Sequence, residues 1–110
     1  LALTELCRTR KIRHAVALHS QGEVIYWTYG DKIPRRSRKM AEILSTSSGY
    51  ALSEPEGLAV GGGFKDWFIS EFDRPGFTVE MGLGKNPLPI EQVADITERL
   101  REMLMLSIMC

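Results

Sequence analysis

The segment from Gly76 to Met81 narrows what this chain can become more than any other. Its residues alternate, with Phe77, Val79 and Met81 on one side and Thr78 and Glu80 on the other, the two-residue period of a strand with one apolar face. Gly82 and Gly84 interrupt the pattern, and Asn86-Pro87-Leu88-Pro89 imposes a stiff turn. Glu80 therefore stands near a strand end, opposite the apolar face. Carboxyl ends of strands are where open α/β sheets hold their ligands.

The remainder reads as helices and strands in alternation. Leu1 to about Lys11 fits a helix with Leu3, Leu6 and Cys7 on one side. Ile12 to Leu18 contains Ala15-Val16-Ala17-Leu18, an apolar run expected of a strand covered on both faces, with His19 and Ser20 at its C-terminal end. Gln21-Gly22 turns the chain into a second run of β-formers, Glu23 to Tyr29, so two central strands should bracket His19. Pro34 suits the first turn of a helix with Met40, Ile43 and Leu44 inward. Ser45 to Gly57 reads as a long polar loop with a short extended piece at Tyr50 to Leu52. Behind Gly61, Gly62 and Gly63, the residues Phe64, Trp67, Phe68 and Phe72 fall at helical spacing. From Ile90 a last helix presents Val93, Ala94, Leu100, Met103, Leu104 and Ile108, and its end, MLMLSIMC, wants more cover than a small domain supplies. This order indicates an α/β fold, helices packed on a mixed or parallel sheet.

At 110 residues, with 14 acidic and 14 basic side chains, residues 1–110 form a single piece: one small domain or part of a larger one. The balanced charge argues against a general polyanion binder and hence against a nucleic-acid partner. Lys32, Arg35, Arg36, Arg38 and Lys39 read first as a solvated helix face, with an anion-binding patch as the alternative. LALTELCRTRKIR has no long apolar core, so neither a signal peptide nor a membrane span is expected there. Cys7 and Cys110, near opposite ends, make neither a disulfide framework nor a metal-ligand spacing and read as free thiols.

Several familiar motifs fail. Gly82-Leu83-Gly84-Lys85 lacks the earlier glycine and the Ser or Thr after lysine that a phosphate loop needs, because Val79 and Asn86 stand there. Gly61-Gly62-Gly63 follows a loop, and Asp66 occupies the place of a dinucleotide-fingerprint glycine. His19 and Ser20 are strand neighbours that point to opposite faces, which rules against a hydrolase pair.

Taken in order, His19-Ser20, the strand after it, the glycines before Lys65-Asp66-Trp67, and Phe77-Thr78-Val79-Glu80 resemble the C-terminal half of the zinc metallocarboxypeptidases of the carboxypeptidase A type. The runs GGGFKDWF and FTVEMGLGKNPLP look most like bacterial γ-D-glutamyl-L-diamino acid (diaminopimelate) endopeptidases, which cut peptidoglycan stem peptides. The resemblance spans nearly the whole chain. It implies a C-terminal part of a carboxypeptidase-like mixed sheet, His19 as the third zinc ligand and Glu80 as general base. By the same resemblance Lys65 lies at the base of the specificity pocket, where a cation suits the second carboxylate of diaminopimelate, and Ser20 is a substrate contact.

The resemblance also implies what is missing. The family's first two zinc ligands form an H-x-x-E motif that neither His14 nor His19 begins, since Ala17 and Gly22 stand where the glutamate would be. They and the arginine that grips substrate carboxylate belong to an N-terminal half of the same domain, the expected partner of this chain. The digestive-type tyrosine is replaced by Leu58 or a near neighbour. On this reading the chain by itself holds an incomplete zinc site and is inactive. Residue by residue, simpler readings stand beside this one: His19 as a hydrogen-bonded core histidine, Glu80 as a salt-bridge partner of Lys85 or Arg74, and Asp66 as a helix cap. Two other functions remain open: an ordinary metallocarboxypeptidase releasing a C-terminal amino acid, and a non-catalytic module binding peptides or wall polymers.

Overall fold

Among the residues that the computed structural model describes, 2–53 and 63–110, helices and strands alternate as the periodicities require. They are α1 (Ala2–Thr9), β1 (Ala15–Ser20), β2 (Val24–Tyr26), α2 (Ser37–Ser48), β3 (Ala51–Ser53), α3 (Phe64–Phe72), β4 (Gly76–Met81) and α4 (Val93–Met109), with a 3-10 turn at Ile90–Gln92 leading into α4. The expectations placed on Pro55, Gly57, Leu58, Gly61 and Gly62 lie outside the described residues. The strands form one mixed sheet in the order β1-β4-β2-β3, with β1 parallel to β4, β4 antiparallel to β2, and β2 parallel to β3. The α/β class read from the sequence is the class observed.

The alternation in β4 decides how the layers stack. Phe77 and Val79, fully buried, join Ile25 of β2 against Met40, Ala41 and Leu44 of α2 and Met103 of α4. Burying side chains of this size stabilises by roughly 1.5–3 kcal/mol each. On the other face α3 lies across the start of β4. Gly76 permits this approach, because a Cβ there would come 3.3 Å from the Lys65 carbonyl oxygen and 3.3 Å from Ile69 Cγ1. The end of β4 is left uncovered by α3. Beyond it Gly82 turns sharply with φ +72°, and a Cβ would sit 2.5 Å from Leu88 Cδ1. The Gln92 side chain ties that turn down by accepting from the Leu83 N–H at 3.0 Å and donating to the Leu83 carbonyl at 2.8 Å.

The structure corrects the sequence reading in several places. β1 is not a central strand covered on both faces: β4 inserts between it and β2, and Leu18 is 42% exposed. Apolar content alone does not distinguish an edge from a centre. The loop expected from Ser45 begins only after α2 has run on to Ser48, where Gly49 caps the helix with φ +78° and its N–H bonded to the Ser45 carbonyl. The serines stay helical because Ser47 and Ser48 turn their hydroxyls back onto the Ile43 and Leu44 carbonyls, at 2.9 and 2.7 Å. The buried side of α3 carries Lys65, Asp66, Phe68 and Ile69, while Phe64 and Trp67 are half-buried. In α1 only Cys7 is buried, with Leu3 and Leu6 exposed. Met103 and Ser107 are the buried residues of α4, and Ile90, Val93 and Ile108 face outward. No described helix is long and apolar enough to cross a membrane.

His14, just before β1, has its Nδ1 buried without a hydrogen-bond partner. Burial lowers its pKa below 6.5, the Arg36 and Arg13 charges push the same way, and the Ser107 backbone works against them. The folded chain thus resists a proton that the unfolded chain accepts. Stability is full above about pH 6.5 and falls as pH drops toward the lower folded value. Urea midpoints measured at pH 7.5 and 5.5 are expected to show this loss, and His14→Gln is expected to remove its share of the slope.

Candidate functional site

The parallel pairing of β1 with β4 sets His19 directly beside Glu80. Register partners on neighbouring strands project to the same face, so imidazole and carboxylate stand side by side at the carboxyl ends of two parallel strands. Thr78, two residues earlier, shares that face, and the antiparallel pairing with β2 adds Tyr26 opposite it. From the first turn of α3 come Lys65 and Asp66. Together with Gly63 and Phe64 these residues line a cleft of about 420 Å³. The cleft is the end of the sheet face that α3 leaves open.

Glu80 has one carboxylate oxygen, Oε2, that is buried and has no hydrogen-bond partner. It joins none of the ion pairs among the described residues, and Arg74 instead donates to the Ile12 carbonyl at 2.7 Å. A buried acceptor left unpaired is costly, and in native structures such an atom marks a place that a water, ion or ligand fills. His19, by contrast, is exposed at the end of the edge strand and open to a ligand.

Lys65 and Asp66 are only 4% and 3% exposed. Lys65 Nζ donates to Asp66 Oδ1 and to the Thr28 carbonyl, which fastens α3 to the segment after β2. Asp66 therefore serves as counter-ion to Lys65 and not as the helix cap the sequence suggested. The N-cap position is held by Gly63, with no side-chain cap. Ser20 does not line the cleft. Its hydroxyl donates to Asn86 Oδ1 at 2.7 Å, and Asn86 Nδ2 donates back to the Ser20 carbonyl at 3.3 Å, so it anchors the loop after β4. Lys32, Arg35, Arg36, Arg38 and Lys39 are all exposed, with Arg38 lying over the Trp27 ring at 5.0 Å.

Among the described residues no group of three or more His, Cys, Asp or Glu can hold a metal ion. His19 and Glu80, an imidazole next to a carboxylate with an unsatisfied oxygen, are donors of the kind a metal could use. A catalytic zinc would need three protein ligands, more than these described residues bring together. The sequence reading missed Tyr26 as a lining residue, because only the β2–β4 register brings it over the site.

The fold and the cleft define a class: a mixed α/β sheet with an acid and an imidazole side by side at strand ends. Comparison with known proteins narrows it. The chain is 46% identical over 93 residues to gamma-D-glutamyl-L-diamino acid endopeptidase 1 of Lysinibacillus sphaericus, a match covering 84% of this chain and 23% of that one. It is 40% identical over 81 residues to the uncharacterized protein YqgT of Bacillus subtilis (strain 168), covering 74% of this chain and 22% of that one. This chain is thus a homologue of a peptidase, and it spans about a quarter of the length of these relatives. No family model matches it, so the wider metallocarboxypeptidase likeness rests on its motifs.

The buried pair has a measurable consequence. Lys65→Met leaves the Asp66 carboxylate buried without its cation and is expected to destabilise the fold by about 3–5 kcal/mol. Lys65→Met combined with Asp66→Leu removes both charges and is expected to recover most of that loss in urea denaturation.

Proposed function

We propose that this chain is the C-terminal part of a zinc-dependent peptidase that cuts the γ-D-glutamyl bond to a diamino acid, diaminopimelate, in peptidoglycan stem peptides. The observation that carries the reading is the pairing of His19 with Glu80 on one open face, in a chain 46% identical over 93 residues to an endopeptidase of that specificity. His19 is the zinc ligand this chain contributes, and the remaining ligands lie in an N-terminal portion. Zinc, when bound, supplies a Lewis acid that polarises the scissile carbonyl and makes water a better nucleophile. Glu80 orients the attacking water through its unpartnered Oε2, takes its proton, and returns a proton to the leaving amine. Lys65 and Asp66 face the side chain beyond the cut bond. Alone, the chain holds too few ligands for catalysis.

A chimera tests this. The matching segment of the Lysinibacillus sphaericus endopeptidase is replaced by this chain and assayed on a γ-D-glutamyl-diaminopimelate peptide, with zinc content measured on the same samples. The chimera is expected to cut that bond. Glu80→Gln is expected to lower kcat by about 10²–10⁴ while zinc stays bound, the range general acid–base groups contribute. His19→Ala is expected to lose zinc as well as activity. Release of C-terminal amino acids alone would favour the ordinary carboxypeptidase, and ligand retention without metal would favour a binding module.

A further inference from the structure

Charge that balances over the whole chain is unevenly placed along it. Eight of the 14 basic side chains fall in two short stretches, RKIR at 10–13 and KIPRRSRK at 32–39, and neither stretch holds an acid. The fold brings the two together. Arg36 donates to the Arg13 carbonyl at 3.4 Å, and the charges of both arginines press on His14. The end of α4 sits among them: the Ser107 backbone meets His14, and Cys110 shares a cleft of about 240 Å³ with Arg36, Lys39, Met40 and Ile43. The negative end of a helix amounts to about half a charge, so Arg13, Arg36 and Lys39 around it leave a positive surplus. No ion pair among the described residues takes up that surplus, and Glu42 and Glu102, which share a second cleft with Lys39, do not pair with it.

Beside these cations the last turn of α4 exposes Ile108 at 78% and Met109 at 82%, and Ile33, next to Lys32, is 43% exposed. Exposed apolar side chains rimmed by charge mark a contact surface. A phosphate polymer satisfies the cations and leaves the apolar groups in water. A nucleic acid also wants aromatic platforms for its bases, and no aromatic side chain among the described residues is exposed. An anionic bilayer surface answers both features, with acidic headgroups for the cations and acyl chains for the apolar tips. We propose that this face docks peripherally on an anionic lipid surface, with Ile108 and Met109 entering the headgroup boundary and Arg13, Arg36 and Lys39 meeting lipid phosphates. The patch belongs to the layer of α2 and α4, whereas the cleft with His19 and Glu80 opens on the other face of the sheet. Docking therefore leaves the cleft free, and the proposal stands apart from the peptidase reading.

Sedimentation of the full-length protein with vesicles tests this. One set is phosphatidylcholine alone, a second mixes in phosphatidylglycerol, and inorganic polyphosphate serves as a soluble competitor. The protein is expected to pellet with the phosphatidylglycerol vesicles only, and less so as salt is raised. Arg13→Gln and Lys39→Gln are each expected to weaken binding about fivefold, the share of one cation at an anionic surface. Ile108→Ser combined with Met109→Ser is expected to weaken it about tenfold or more, with an unchanged circular dichroism spectrum because both side chains are already exposed. Pelleting with neither vesicle would overturn the proposal and assign the face to contacts within the protein. Equal pelleting with both would remove the role of the cations and overturn it as well. Binding that ignores the Ile108 and Met109 substitutions and is displaced by polyphosphate would overturn it in favour of a phosphate polymer.

Discussion

The parallel ladder between β1 and β4 is the constraint on which the site depends, because a sheet alternates faces with every residue. In the observed register His19 and Glu80 share one face, while Val16, Phe77 and Val79 share the other and pack on the helices. A slip of one residue would turn His19 toward the core and strand a leucine beside the acid. The same burial that fixes Phe77 and Val79 thus fixes where the imidazole meets the carboxylate. Core packing and site geometry are here one specification.

The other half of the arrangement is how far α3 reaches along that face. Gly76 allows its backbone to settle on the start of β4, and the contact between Lys65, Asp66 and the Thr28 carbonyl fastens its first turn. From there the helix shields the strand starts and stops short of their ends. The result is a cleft with an aromatic and hydroxyl wall from Tyr26 and Thr78, a charged wall from α3, and an open rim at His19. Outside the cleft, Ser20 and Asn86 bond to each other and tie the loop after β4 to the end of β1.

Much of this was legible in the residues. The alternation Phe77-Thr78-Val79-Glu80 has one period that fits it, so β4 and the outward acid follow directly, and α3 follows from the spacing of Phe64, Trp67, Phe68 and Phe72. Strand order was not legible, because nothing local tells β1 that β4, sixty residues on, will lie between it and β2. That same long-range pairing kept Tyr26 hidden. The serines of α2 misled because their hydroxyls can bond to the helix's own carbonyls, so a polar run passes for a loop. Asp66 was read as a cap, and it proves instead to be the buried partner of its neighbour Lys65, a pairing that adjacency alone does not announce.

Exposed apolar side chains at Ile108 and Met109 of α4, and at Leu18 of β1, mark surfaces that this chain leaves open, on a chain about a quarter as long as its relatives. The account stands or falls on whether His19 and Glu80 flank one metal ion. Anomalous scattering recorded across the zinc absorption edge, from crystals of the full-length protein, reads this directly. The account predicts one strong peak in the cleft, about 2.0–2.1 Å from a His19 ring nitrogen and with Glu80 beside it. A peak elsewhere, or zinc held with His19 turned away, would contradict it.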